Sequence, residues 1–229
     1  MLILICLATH SEANACKKGL QKSGQSKSFE ILQTGMGFQA AFEKLEERLK
    51  TGPKPQLIVS SGFCGGVAAH IKLGTWAWGS KLNWNHNNTA DLEPLPLPVL
   101  KLPLLWEEAI YESVSAVTLH QNDQLSPSTE AVDMESEAWF TLAAQNKIPF
   151  SILRLASDTK DHPLPKAIKT FSNAILEPDW QKKLSHCWLG SREVLENPKY
   201  MGRFIFRSTS LLRKFSDGWR SIFEVWVGC

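Results

Sequence analysis

The chain opens with a rhythm that few folds accommodate: a short apolar run, a polar or glycine-bearing turn, then residues at helical spacing, repeated. "LILICLA" (2–8) runs into "THSE" and a helix over Ser11 to Leu20 with Ser11 as its cap. "FEILQ" (29–33) runs into "TGMG" (34–37), and the following "FQAAFEKLEERLK" places Phe38, Phe42, Leu45 and Leu49 on one helical face. Thr51-Gly52-Pro53 stops that helix, and "QLIVSS" (56–61) then breaks into "GFCGG" (62–66). Later segments continue the pattern: strand candidates at "SAVTL" (115–119) and "FSILRLA" (150–156), with a helix around "ESEAWFTLAAQN" (135–146) between them. Strands alternating with helices predict a layered α/β domain. The 229 residues are read as one domain, 1–229.

Composition narrows the classes of function. Hydrophobic residues make up 43% and charged residues 21%, enough apolar material for a substantial core. With 25 basic against 23 acidic side chains, no nucleic-acid partner is expected, because counterion release needs a cationic surface. Five scattered cysteines (6, 16, 64, 187, 229) without CxxC pairs indicate reduced thiols and a cytoplasmic location, and neither they nor the six histidines make a metal site. The opening apolar run followed by Ala13-Asn14-Ala15 imitates a signal peptide, but it lacks a positive n-region and reads better as a first buried strand. No segment reaches the roughly 20 apolar residues of a membrane span, so no membrane partner is expected.

Three stretches stand apart. "NWNHNNTADLEPLPLPVLKLPLL" (83–105) carries prolines at 94, 96, 98 and 103 and predicts an extended surface excursion. The C-terminal "RFIFRSTSLLRKFSDGWRSIFEVWVG" has the spacing of a helix that packs on the core, the less common alternative being a helix on a membrane surface, with Gly218 as a point of interruption. Trp76, Trp78 and Trp84 suit an oligomer interface or a stack on a base.

Polar groups gather after the strands, where an open α/β sheet binds its ligands. Taken singly they are ordinary: Ser157-Asp158 reads equally as a helix N-cap, Arg154 as a structural ion pair and Met134 as a core methionine. Their order is more specific. Glu12 soon after the first strand, "TGMG", "SGFCGG", "VDMESEA" and "RLASD" resemble, in sequence, the motifs of the nucleoside phosphorylase and nucleosidase superfamily, especially its methylthioadenosine/adenosylhomocysteine nucleosidase branch. The matches lie within residues 1–162.

The resemblance implies a phosphorylase/hydrolase-like fold, three-layer α/β/α around a central mixed β-sheet, with a homodimer, no cofactor and a small-molecule nucleoside substrate whose N-glycosidic bond is hydrolysed. By similarity, Asp158 is the acid that shares a proton with the purine, with Ser157 positioning it. Glu12, assisted by Arg154, orients and deprotonates water. Glu135 accepts hydrogen bonds from the ribose hydroxyls, and Met134 packs against the sugar. Gly35, Gly65 and Gly66 permit close backbone approach. Asp158 rather than Asn suits a 6-aminopurine, because a carboxylate also accepts from the exocyclic amine.

Phe63 departs from the pattern. It stands where the nucleosidases usually carry a small polar residue near the nucleophile, and its ring offers no hydrogen bond. That departure keeps two other readings open: a phosphate-dependent phosphorylase of the same fold, and an inactive nucleoside-binding homologue. Phosphorolysis calls for further cationic groups around a phosphate, and Glu12 would repel one.

Overall fold

The computed structural model describes residues 2–24, 28–84, 88–92, 106–114, 125–177 and 179–226. The strand expected at 115–119, the "TLHQND" stretch at 118–123 and residues 93–105 of the proline-rich segment lie outside them. The described residues form eight strands and six helices.

β1 (Ile3–Leu7) is buried along its whole length and pairs in parallel with β2 (Phe29–Gln33) and β3 (Leu57–Gly66). Burial on both faces explains its unbroken apolar run. Ile3, Ile5 and Leu7 pack under α1 (His10–Ser23) and α6 (Pro198–Trp226), while Leu4 and Cys6 pack toward α2 (Phe38–Thr51) and α3 (Ser136–Gln145). The period of two along one strand therefore divides the core into two layers, as the three-layer expectation requires.

Beyond β3 the sheet curls on itself. β3 pairs in parallel with β8 (Phe150–Thr159), which lies antiparallel to β4 (Trp76–Trp84). β4 runs parallel to β6 (Trp106–Ser113), and β6 to β7 (Ala131–Asp133). β7 returns antiparallel to the far end of β3, where Gly65 pairs with Val132. The ring β3–β8–β4–β6–β7 brings the ends of β3, β7 and β8 together. β5 (Asn88–Asp91) is a short antiparallel addition to β4. It accounts for the first part of the expected excursion.

Several local readings need correction. Helix α1 begins one residue before Ser11 and is capped by Thr9, whose hydroxyl accepts from the Glu12 N–H while the Glu12 carboxylate accepts from the Thr9 N–H. That reciprocal pair outcompetes Ser11 for the cap. "LIVSSGFCGG" does not break at Gly62 but continues as one strand. Gly218 does not interrupt α6: a Cβ there would lie 2.4 Å from the Trp76 ring, so its bareness lets the helix close on the sheet. Trp76 is wholly buried, stacked on Phe215 at 5.3 Å and edge-on to Trp219 at 6.3 Å, which excludes it from an interface or a base stack. The second half of α6 packs on the core as expected, with Leu211, Phe215, Trp219, Ile222, Phe223 and Trp226 all buried. Each such side chain contributes about 1.5–3 kcal/mol.

After β8 the chain forms α4 (Lys166–Leu176) and α5 (Trp180–Glu196) before α6 begins. The motif-bearing part of the chain says nothing about this helical pair.

Candidate functional site

The geometry starts at the turn after β1. Glu12 lies in the first turn of α1, where the helix dipole favours an anion. Its carboxylate is buried and held by three donors. Oε2 accepts from the Thr9 N–H at 2.8 Å and the Thr9 hydroxyl at 2.6 Å, and Oε1 accepts from the Phe63 N–H at 2.8 Å. The last bond depends on Gly62, which has φ +126° and would bring a Cβ within 2.6 Å of Glu12 Oε1. A side chain at 62 is thus refused both by backbone conformation and by the carboxylate itself.

Across β3 lies Arg154, paired in register with Gly62 and wholly buried. Nη1 donates to the Phe63 carbonyl at 2.9 Å, and Nε and Nη2 donate to Ser60 Oγ at 3.2 and 3.0 Å. Nε also lies 3.2 Å from Asp133 Oδ2, Nη2 lies 3.5 Å from Glu135 Oε2, and the guanidinium sits 5.5 Å from the centroid of the Trp139 ring. Burial works against this charge, but Asp133, Glu135 and Glu12 outweigh it and hold the guanidinium above its ordinary range. Arg154 is linked to Glu12 through the backbone of Phe63, whose N–H donates to Glu12 and whose carbonyl accepts from Arg154.

Asp133 is the hub of this buried network. Oδ1 accepts from the N–H groups of Glu135 (3.1 Å) and Ser136 (2.9 Å), and Oδ2 accepts from the Ser136 hydroxyl. Because Ser136 spends its one proton on Asp133, the Ser60 hydroxyl donates to Ser136 across 2.8 Å while its oxygen accepts from Arg154. Glu135 Oε1 accepts from the Gly37 N–H at 3.1 Å, and Met36 beside it lines the cavity. Burial pushes the Glu135 carboxyl up to about 7, against the attraction of Arg154, with Asp133 adding to the rise.

Asp158 lies within β8, not at the cap of a following helix. The register shows why it enters the site. Cys64 pairs with Ala156 and Gly65 with Asp158, leaving Ser157 as an extra residue on β8. Strict alternation would send neighbours 157 and 158 to opposite faces, but the bulge brings both to the cavity. The Ser157 hydroxyl donates to Asp158 Oδ1 at 2.7 Å.

These groups line one cavity of about 260 Å³. Glu12, Arg154, Asp158, Ser157, Met134, Glu135, Phe63 and Gly65 all border it. Gly35 does not: its N–H donates to the Ala8 carbonyl at 3.0 Å, pinning the turn to the end of β1. Gly66 lies against Ile71 instead. The Phe63 ring leans on Phe215, centroids 5.5 Å apart, and leaves the cavity open. His10 is exposed and lies 3.3 Å from Gln33.

Sequence reasoning missed two sets of residues. It gives no role to Ser60, Asp133 and Ser136, although Asp133 and Ser136 lie within "VDMESEA"; Arg154, whose buried charge demands partners, is the signal that points to them. The remaining wall comes from Leu164 ahead of α4, from Ile168 and Ser172 on α4, and from Phe204, Ser208 and Leu211 on α6, beyond the motifs. Cys64 also borders the cavity, and burial pushes its thiol up to about 12, which disfavours the thiolate. Among the described residues no group of three or more His, Cys, Asp or Glu could hold a metal ion.

A curled mixed sheet between helical layers, with its cavity at the ends of β3, β7 and β8, is the nucleoside phosphorylase and nucleosidase fold, and this chain has it. Among solved structures it is similar to an MTA/SAH nucleosidase, with a TM-score of 0.66 and 14% identity over 100% of this chain and 96% of the other. It is similar to the S-adenosylhomocysteine nucleosidase of Streptococcus pyogenes in complex with 5-methylthiotubericidin (TM-score 0.58, 18% identity, 95% and 96% covered). The futalosine hydrolase of Helicobacter pylori gives a TM-score of 0.60 at 14% identity, over 84% of this chain and 98% of the other. No protein-family model matches the chain, and no curated protein matches it in sequence.

Proposed function

We propose that the protein is a nucleosidase that hydrolyses the N-glycosidic bond of an adenine nucleoside of the 5′-methylthioadenosine or adenosylhomocysteine type, releasing the free base. The observation that carries this reading is that Glu12 and Asp158, from opposite ends of the motif region, line the same cavity. Its volume lies just below the roughly 300–1,000 Å³ usual for small-molecule sites. The nucleosidases of the same fold support the same choice of chemistry.

In this reading Asp158, oriented by Ser157, protonates the purine as the glycosidic bond breaks, so that the base departs neutral. Glu12, fixed by Thr9 and the Phe63 N–H, directs a water at the electron-poor sugar carbon and takes its proton. Glu135 accepts from the ribose hydroxyls, and Met134 supplies an apolar surface to the sugar. The peptide of Phe63 supplies the connection to Glu12 that its ring cannot.

Hydrolysis is favoured over phosphorolysis because Arg154 directs its donors to Ser60, Phe63, Asp133 and Glu135. Three carboxylates around it repel a phosphate dianion. A homodimer is the expected assembly from the resemblance, to be checked by light scattering. The function is tested by incubating the protein with adenosine, 5′-methylthioadenosine, S-adenosylhomocysteine and inosine, with and without phosphate. Free adenine without phosphate supports the reading. Release only with phosphate assigns a phosphorylase, and binding without release an inactive homologue.

A further inference from the structure

We propose that Arg207 is a positioning residue for substrate binding: with Tyr200 it fastens the turn between β8 and α4 onto α6, and so holds part of the cavity wall. The inference rests on the nucleosidase reading of that cavity. Arg207 does not line the cavity itself. Its Nη1 donates to the His162 carbonyl at 3.3 Å and its Nη2 to the Pro163 carbonyl at 3.2 Å. The Tyr200 hydroxyl donates to the same Pro163 carbonyl at 3.0 Å. A spacing of seven residues sets Tyr200 and Arg207 within about 20° of each other around the helix. One edge of α6 thus grips two successive carbonyls of the turn.

The sequence explains why the turn needs a hold from outside. "HPLP" (162–165) carries prolines at 163 and 165, which stiffen the chain but offer no N–H for a bond within the turn. Its own backbone contributes a reciprocal pair, Thr159 N–H to the His162 carbonyl at 3.3 Å and His162 N–H to the Thr159 carbonyl at 3.0 Å. Residues 160–163 are exposed, so packing does little to secure them. Arginine suits the task, because its fork reaches two carbonyls with separate N–H groups, whereas the lysine ammonium is a compact point charge.

Arg207 touches two pieces of the wall. The Pro163 carbonyl that it holds belongs to the peptide joined to Leu164, and Leu164 lines the cavity. Its guanidinium also sits 5.4 Å from the centroid of the Phe204 ring, which lines the cavity as well. Asp158, by contrast, is fixed independently, by its pairing with Gly65 and by the Ser157 hydroxyl. Releasing the turn therefore loosens the apolar wall and leaves the acid in place. Binding weakens equally in the ground and transition states, which raises KM and keeps kcat.

The test compares the full-length wild type with Arg207→Ala, Arg207→Lys and Tyr200→Phe, using 5′-methylthioadenosine. Arg207→Ala is expected to speed hydrogen exchange at the Thr159 and His162 amides at least about tenfold, with β3 unchanged. It is expected to raise KM at least about tenfold while kcat stays within about threefold. Arg207→Lys, which cannot span both carbonyls, should match the alanine variant, and Tyr200→Phe should raise KM about threefold. A merely structural role would lower the unfolding midpoint and leave KM alone. The inference is overturned if exchange in Arg207→Ala is unchanged, if exchange quickens without a rise in KM, or if Arg207→Lys keeps the wild-type KM. Should Arg207→Ala fail to fold, Arg207→Lys and Tyr200→Phe decide by the same criteria. A wild type that releases no base overturns the nucleosidase reading instead; the affinity for intact 5′-methylthioadenosine, measured by calorimetry, then replaces KM in the comparison. A wild type that neither cleaves nor binds it overturns both.

Discussion

Glu12 and Arg154 are joined through the backbone of a single residue: the Phe63 N–H reaches Glu12 Oε1 at 2.8 Å and the Phe63 carbonyl receives Arg154 Nη1 at 2.9 Å. The connection is made by backbone, so it is sensitive to Gly62 and tolerant at the side chain of Phe63. Gly62→Ala is expected to lower kcat for base release at least about a hundredfold by displacing Glu12. Phe63→Ala is expected to keep base release within about tenfold while losing about 3 kcal/mol of stability, since only the ring packed on Phe215 is removed. Steady-state kinetics and urea unfolding of the two variants separate these effects.

Asp158→Asn removes the proton that the departing purine needs. Loss of a general acid predicts a fall in kcat of about 10²–10⁴, or about 3–5 kcal/mol of barrier. A p-nitrophenyl riboside, whose leaving group departs as a stable anion, should lose much less. An equal loss on both substrates would assign Asp158 to binding instead of acid catalysis.

Much of this site was legible in the sequence because its residues sit at strand ends, where local pattern and chemistry coincide. Glu12, Glu135 and Asp158 are picked out by the order of the motifs that hold them, which resembles that of the nucleosidases, and not by any one segment alone. Three kinds of feature were not legible. The bulge at Ser157 is a matter of pairing between β3 and β8, and no local letter announces it. The Asp133–Ser136–Ser60 chain joins residues 76 positions apart, so it exists only once β3 and α3 are packed. The α4–α6 wall follows from helix placement, and there the apolar pattern misleads: on α6 it faces the core, as read, whereas on α5 it faces outward. Gly218 shows the same limit at one residue, since a glycine that reads as a helix break proves to be a seat for Trp76.

Asp133 should matter more to folding than its absence from the expected site suggests. It is buried, accepts two backbone N–H groups at the start of α3, and lies 3.2 Å from the guanidinium of Arg154. Asp133→Ala leaves a buried cation short of a partner and a helix start without its acceptor. Breaking a buried pair from one side predicts a loss of about 3–5 kcal/mol, read as a shift in the urea midpoint. Arg154→Met with Asp133→Leu, which removes both charges, should be less damaging to stability than Asp133→Ala while still abolishing base release.

Glu135 gives the site a pH dependence of definite sign. Its carboxyl is raised from 4.5 to about 7, chiefly by burial. Between those values the folded protein holds a proton that the unfolded chain has released. Stability contributed by this group is therefore present in full below pH 4.5 and declines as pH rises toward 7, by about 3 kcal/mol in total. Substrate binding runs the other way, because only the ionised carboxylate accepts from both ribose hydroxyls, so KM is expected to fall as pH rises through 7. Glu135→Gln should flatten both profiles: the urea midpoint loses its decline over this window, and KM becomes high and insensitive to pH. A wild-type KM that rises through the same window would mean that Glu135 meets the substrate as a donor, and its place on the ribose hydroxyls would have to be given up.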